Sequence, residues 1–155
     1  MSIPTFTSFG PLPPGIHDAT LAEINAVFGA TNSRREDLFG KLDQFVQASK
    51  RFQLFTALYV DGSFVTDKPS PGDIDAVLEL PRAALPRLLA HPDRLTLIDT
   101  AAVKAAYEVH LFFQPEAPPT PDPDMAKFFQ HLRPEEALVR RLPADTTRGI
   151  LRVAL

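Results

Sequence analysis

The sequence predicts a mixed α/β domain of the α+β type, with a mixed sheet flanked by helices. Its 155 residues, 45% of them hydrophobic, are enough for one compact core. Apolar runs typical of strands occur in the middle and at the end of the chain. Before and between them lie segments with helical spacing of apolar residues and with helix-capping patterns. We therefore expect one domain over residues 1–155.

The first third of the chain predicts an extended arm followed by two helices. Several prolines favour an irregular arm over residues 1–17. The segment Thr20–Glu23 has a capping-box pattern, and the helix it opens should end near Gly29. A second capping box, Ser33–Glu36, predicts a longer helix ending near Lys50. Apolar residues at helical spacing should turn both helices toward the core: Leu21, Ile24, Val27, Phe28, Leu38, Leu42, Phe45 and Val46.

Four apolar segments predict the strands. A buried strand lies within Phe52–Val60, and a second begins with the alternating segment Asp73–Leu80. The segment Tyr107–Phe113 is the third candidate, and the tail Gly149–Leu155 is the fourth.

The second half of the chain also predicts short helices and one irregular loop. Leucines at residues 85–89 indicate a short helix, and Asp99 should cap a helix through Ala106. Clustered prolines favour a rigid surface loop over residues 114–124. Asp124 is a candidate cap for a further helix, with another turn or two between Glu135 and Leu142.

Composition restricts the class of protein. The absence of cysteine rules out disulfides, thiolate zinc sites and cysteine nucleophiles, and it agrees with a cytoplasmic location. The start lacks a signal-peptide pattern, and no apolar stretch reaches the ~18 residues of a spanning helix, so we expect no membrane partner. A formal net charge of −3 gives no general attraction to nucleic acid, although nucleic acid stays open as a partner.

The most informative pattern is a Gly62-Ser63 turn followed, after nine residues, by Asp73-Ile74-Asp75. A strand ending in this turn would offer backbone N–H groups, and Gly62 carries no side chain that would keep a phosphate oxygen away from the backbone. Strand alternation sends Asp73 and Asp75 to the same face. Their like charges repel unless a cation lies between them, and oxygen ligands favour Mg²⁺ or Mn²⁺.

Residues around this pattern are candidates for contact with phosphate. Thr66 and Lys68 follow the turn and could contact phosphate, although solvated loop residues are the alternative. The arginines are dispersed, which is typical of a solvated surface, although some could fold toward a triphosphate. The sequence does not choose among Arg34, Arg35, Arg82, Arg87, Arg94, Arg133 and Arg148.

This pattern resembles the signature of the nucleotidyltransferase superfamily of the DNA polymerase β type. Asp61 departs from it, because an apolar residue usually precedes the glycine. The stretches Leu12–His17, Gly62–Lys68 and Arg148–Arg152 also look like a bacterial group of small nucleotidyltransferase-like proteins. The resemblance implies a nucleotidyltransferase-like sheet and transfer of a nucleoside monophosphate from a triphosphate, with ATP expected, to an acceptor hydroxyl on protein, RNA or a small molecule.

In that superfamily a later strand supplies a third carboxylate, and here the matching residue is His110. His110 is therefore the third candidate catalytic residue, as a base near neutral pH or as a ligand of a transition metal. Glu108 should lie on the same strand face and is a weaker substitute. The missing carboxylate keeps a second hypothesis open: a catalytically impaired binding module, acting as a nucleotide sensor or as a partner in a toxin–antitoxin type of pair.

Overall fold

A computed structural model describes residues 3–90, 96–116 and 125–155. The strands are β1 (Gly15–Asp18), β2 (Ala57–Asp61), β3 (Ile74–Leu80), β4 (Val109–Pro115) and β5 (Gly149–Ala154). The helices are α1 (Leu21–Ile24), which continues as a π-helical turn (Asn25–Gly29), α2 (Ser33–Arg51), α3 (Leu85–Leu89), α4 (Thr100–Tyr107), α5 (Met125–Phe129) and α6 (Pro134–Val139). Short 3-10 turns are formed by Ser63–Val65 and Arg82–Ala84.

The five strands form one sheet in the order β1-β5-β2-β3-β4. The outer pairs, β1 with β5 and β3 with β4, are parallel. The inner pairs, β5 with β2 and β2 with β3, are antiparallel. The predicted α/β fold with a mixed sheet flanked by helices is therefore confirmed.

The two faces of the sheet differ in what covers them. On one face, α2 buries Leu42 and Phe45 against strand residues such as Leu58 and Leu78 in the larger apolar core. The opposite face carries a smaller apolar cluster, in which Phe129 of α5 takes part. Polar side chains share this second face, so it is the face that positions the candidate site.

Two of the predicted helix caps are confirmed. Thr20 and Glu23 form the predicted capping box, with Glu23 N donating to Thr20 Oγ1 at 3.2 Å. Asp99 caps α4 by accepting a hydrogen bond from Ala102 N at 3.0 Å. The second capping box was wrong by one residue. Asn32 caps α2, because its side chain accepts from Arg35 N at 3.0 Å, and Ser33 is already helical.

Some predicted boundaries also shift. Strand β2 begins at Ala57 rather than near Phe52, because α2 continues to Arg51 and Gln53 adopts a left-handed conformation at its end. The arm 1–17 is not wholly irregular, since its last residues enter β1 and pair with β5. Long-range pairing supplies that strand, and its four residues carry little local signal.

The predicted loop 114–124 begins too early, because Gln114 and Pro115 complete β4. Residues 117–124 lie outside the described residues, and so does the predicted cap Asp124. Helices α5 and α6 occupy the two segments where short helices were expected. Within residues 3–90, 96–116 and 125–155, no helix has the length and apolar character needed to span a bilayer.

We expect Leu42→Ala to lower the free energy of unfolding by about 2–5 kcal/mol, because it leaves a cavity in the larger core. Leu42 is fully buried. The matched control is Leu138→Ala, at a side chain that is 79% exposed, and should change stability by less than about 0.5 kcal/mol. Urea denaturation measures both, and equal effects would contradict the assigned core.

Candidate functional site

The candidate site lies where three neighbouring strands meet at one end of the sheet. Asp61, the last residue of β2, pairs with Asp75 of β3. Asp75 in turn pairs with His110 of β4. Directly paired residues of adjacent strands project to the same face. The register therefore places these three side chains in a row on the face opposite α2.

Asp73, Asp75 and His110 form a compact group, here called the carboxylate–histidine cluster. One ligand atom from each residue lies within 4.8 Å of the other two. His110 Nδ1 is 3.2 Å from Asp75 Oδ1. Lys104 of α4 forms an ion pair with Asp73, and Arg133 Nη2 lies 3.9 Å from Asp75 Oδ2. The structure brings together the three residues predicted to be catalytic, although Asp73 precedes β3 instead of belonging to it.

Gly62 is required at this position for two physical reasons. Its φ of +82° lies in a region that L side chains rarely adopt. A Cβ there would also collide with the carboxylate of Asp75, approaching Asp75 Cγ to 3.1 Å. The sequence pattern attributed this glycine to the approach of a ligand, whereas the structure shows that it makes room for the acid of the cluster itself.

The predicted phosphate contacts Gly62, Ser63 and Lys68 line a cleft of about 1060 Å³ together with the carboxylate–histidine cluster. After Gly62 the chain forms the 3-10 turn that starts at Ser63. Thr66 Oγ1 donates to the carbonyl of Ser63 at 2.7 Å and accepts from Lys68 N at 3.2 Å. Thr66 is buried and closes this turn, so it is not a solvated loop residue.

The rest of the cleft lining carries residues of mixed charge. Arg133, Arg140 and Arg148 belong to it, as do Glu135 and Glu136 of α6. Arg140 Nε donates to Glu136 Oε1 at 3.2 Å, and Arg148 Nη1 lies 3.5 Å from Glu136 Oε2. Arg140 and Arg148 are thus paired with Glu136, whereas Arg133 lies beside Asp75 of the cluster.

Beneath the cluster lies a buried ion pair that the sequence did not indicate. Arg148 Nη2 donates to Asp61 Oδ2 at 2.9 Å, and both residues are at most 4% exposed. Among the described residues, Asp61 Oδ1 has no hydrogen-bond partner. Burial raises the pKa of Asp61 from 3.8 to about 6, against the opposing charge of Arg148. Removal from water thus costs this carboxylate more than its partner returns.

Glu108 does not join the site, and the expectation that it lies on the same strand face as His110 was wrong. It terminates α4 in a left-handed conformation, with φ of +52°, before β4 begins. Its carboxylate accepts hydrogen bonds from Arg34 and Lys41 of α2. The hydrogen bonds from Arg34, then those from Lys41, lower the pKa of Glu108 to about 2. An ionised carboxylate held by two cations is a poor proton acceptor.

The segment between the glycine turn and Asp73 is fastened to the start of α2. Arg35 is 4% exposed and donates to the carbonyls of Phe64 at 2.7 Å and Thr66 at 2.8 Å, as well as to the carbonyl of Lys68. Its guanidinium also stacks over the Phe64 ring, with Cζ 5.4 Å from the centroid. Burial lowers the pKa of Arg35, so the carbonyls must solvate its charge in place of water.

Asn32 and Arg34, which neighbour Arg35 in sequence, also bind this segment. Asn32 Nδ2 donates to the carbonyl of Pro69 at 2.8 Å. Arg34 donates to the carbonyls of Pro71 at 3.2 Å and Gly72 at 2.7 Å. Side chains at the start of α2 therefore hold carbonyls along most of the loop that connects the two halves of the motif.

The sequence did not single out these arginines because nothing local distinguishes them from solvated ones. Arg35 and Arg148 are buried, whereas Arg133 is 67% exposed, and Arg94 lies outside the described residues. One signal was available for Asp61. A carboxylate that ends an apolar strand is rarely buried without a cationic partner, so its departure from the motif could have prompted a search for one.

The fold and the cleft define the class as a mixed α/β protein with a candidate carboxylate–histidine metal site. The chain belongs to DUF6932, a family of unknown function, whose model matches residues 4–154. No curated protein and no solved structure matches it.

The raised pKa of Asp61 predicts a pH-dependent loss of stability. The folded state binds this proton more tightly than the unfolded chain does. The contribution of this proton to the free energy of unfolding is therefore complete below pH 3.8, and it is lost as the pH rises to about 6. The loss amounts to about 3 kcal/mol. Urea denaturation between those pH values should show wild type losing this stability relative to Asp61→Asn. The lowered pKa of Glu108 also makes stability depend on pH, but this effect is the same in both proteins and cancels in the comparison. Parallel curves of unfolding free energy against pH would contradict the raised pKa of Asp61.

Arg35→Met should loosen the loop 62–72, because buried carbonyls lose charged donors. The free energy of unfolding should fall by about 1.5–3 kcal/mol. Backbone hydrogen exchange should accelerate within residues 62–72 more than in the strands. Arg51→Met, at the exposed end of the same helix, is the matched control and should leave exchange in the loop unchanged. Unchanged loop exchange in Arg35→Met would show that the guanidinium does not hold the segment.

Proposed function

We propose that this protein is a metal-dependent nucleotidyltransferase that moves a nucleoside monophosphate from a nucleoside triphosphate to an acceptor hydroxyl. The observation that carries the proposal is the convergence of Asp73, Asp75 and His110, with ligand atoms within 4.8 Å, beside the Gly62-Ser63 turn. This geometry agrees with the resemblance of the motif to the polymerase β type of nucleotidyltransferase.

The residues that line the cleft would have separate roles. The Gly62-Ser63 turn would receive phosphate oxygens, because the first amides of a 3-10 turn lack partners within the turn. Lys68 and Arg133, which both line the cleft, would supply positive charge. Asp73 and Asp75 would hold a divalent cation, with His110 as the third ligand. The contact of His110 Nδ1 with Asp75 Oδ1 holds the imidazole beside the acids and is compatible with the ligand role and with that of a base.

The chemistry is an in-line displacement. When bound, a divalent cation supplies charge neutralisation on the triphosphate and alignment of the attacking and leaving oxygens. The acceptor oxygen forms a bond to the α-phosphorus, the α–β phosphoanhydride bond breaks, and pyrophosphate leaves while the hydroxyl proton passes to solvent. Positioning by the rigid loop 62–72 would account for part of the rate enhancement.

A second candidate is a binding module that retains nucleotide affinity without turnover. Two observations favour it: His110 stands in place of a third carboxylate, and Lys104 already neutralises Asp73. Such a protein would sense a nucleotide or act on a protein or RNA partner.

With Mn²⁺ present, ATP should raise the melting temperature of wild type, because a ligand at about 100 times its Kd stabilises the folded state by about 2.7 kcal/mol. Asp75→Asn should abolish this shift, since the substitution keeps the shape of the side chain and removes its charge. Differential scanning fluorimetry with and without the metal measures the effect.

Asp43→Asn is the matched control, because Asp43 lies on α2 and hydrogen-bonds only to Gln47 in the contacts of the described residues. It should keep the full shift. Equal stabilisation of Asp75→Asn, or stabilisation that needs no metal, would overturn the proposed site. Pyrophosphate release with candidate acceptors then separates the transferase from the binding module.

A further inference from the structure

The metal-ligand atoms of the cluster are not all oxygens. Asp73 and Asp75 contribute carboxylate oxygens, whereas His110 contributes an imidazole nitrogen. The sequence-based expectation of Mg²⁺ or Mn²⁺ treated the two acids alone. Mg²⁺ is a hard cation that prefers oxygen ligands, whereas imidazole suits later transition-metal ions such as Co²⁺ and Zn²⁺ better.

The charge around the cluster also disfavours Mg²⁺. Lys104 forms an ion pair with Asp73, and Arg133 Nη2 lies 3.9 Å from Asp75 Oδ2. Two carboxylates therefore face two cations, and little net negative charge is left to attract a strongly hydrated ion. The affinity for a cation must then come from the match between the ion and its ligand atoms. Nitrogen ligation becomes stronger along the series from Mn²⁺ toward Cu²⁺.

The imidazole is also oriented toward the acids before any ion binds. His110 Nδ1 is directed at Asp75 Oδ1, and its ring packs on Phe112 with 4.5 Å between centroids. Phe112 in turn contacts Phe129 of α5 at 4.9 Å. The partly exposed ring is therefore supported on one side by the smaller apolar cluster, which holds the imidazole beside the acids.

We propose that the carboxylate–histidine cluster is selective for a transition-metal dication, of the Co²⁺ or Zn²⁺ type, over Mg²⁺, and that His110 sets this selectivity. The inference deepens the proposed function, on which it rests for the identity of the metal site. It assigns His110 as a ligand that determines which cation the protein uses.

The experiment measures metals alone, without nucleotide, by calorimetric titration of metal-free protein with MgCl₂, MnCl₂, CoCl₂ and ZnCl₂ at one fixed pH. Wild type should bind Co²⁺ and Zn²⁺ at least about tenfold more tightly than Mg²⁺. His110→Asp should weaken Co²⁺ and strengthen Mg²⁺, so that the ratio falls by about tenfold or more. The ligand-field absorption of bound Co²⁺ should change in this variant because a nitrogen ligand is lost.

Two further variants separate ligand type from charge and from general surface binding. Lys104→Met should strengthen the binding of all four ions without changing their order, since it removes a competing cation. His131→Asp makes the same substitution at an exposed histidine that does not line the cleft, and it should leave every affinity unchanged. Because His110 is 51% exposed, His110→Asp should fold, and His110→Ala provides a second test of the lost ligand.

Equal affinity for Mg²⁺ and Co²⁺ in wild type, no metal binding at all, or a ratio insensitive to both His110 variants would overturn the inference. Selective metal binding through His110 with no stabilisation by ATP would sustain the metal assignment and reject the proposed transferase. Stabilisation by ATP that is equal with Mg²⁺ and Co²⁺ and unaffected in His110→Asp would do the reverse.

Discussion

Hydrogen bonding between β2, β3 and β4 fixes Asp61 opposite Asp75 and Asp75 opposite His110. A shift by one residue in either strand pair would send one of these side chains to the face covered by α2. The register is held by the larger core, because Leu58 and Leu78 must stay on the buried face. Apolar packing on one side of the sheet thus determines which polar groups meet on the other. The chemistry proposed for the cleft depends on this constraint.

The loop between β2 and β3 is held by charge. The guanidinium of Arg35 replaces water as the partner of the loop's carbonyls, and burial lowers the pKa of this cation. The pair Asp61–Arg148 plays a related role below the cleft, where burial raises the pKa of the acid. These buried charges carry a desolvation cost, which the hydrogen bonds of Arg35 and the pairing of Asp61 with Arg148 must offset.

A single position separates the two functional interpretations. A carboxylate at His110 would give three acids and a site suited to Mg²⁺, whereas the imidazole gives a mixed ligand set with lower charge. The transferase and the binding module therefore share the same metal site and the same cleft, and they differ in whether a bound nucleotide is turned over. Membership of DUF6932 is compatible with both, since no function is attached to that family.

The sequence by itself determined the features that depend on neighbouring residues. Thr20 and Asp99 cap their helices because a side chain reaches an amide three residues away, and strand alternation put Asp75 on the face opposite Ile74. The motif also predicted that Asp73 and Asp75 would meet, and the resemblance to the superfamily added His110. Only the tertiary structure decided the partners of Arg35, Arg148 and Glu108, and the pairing of β1 with β5. Those contacts join segments tens of residues apart. Their free energy comes from burial and strand pairing that no local pattern encodes.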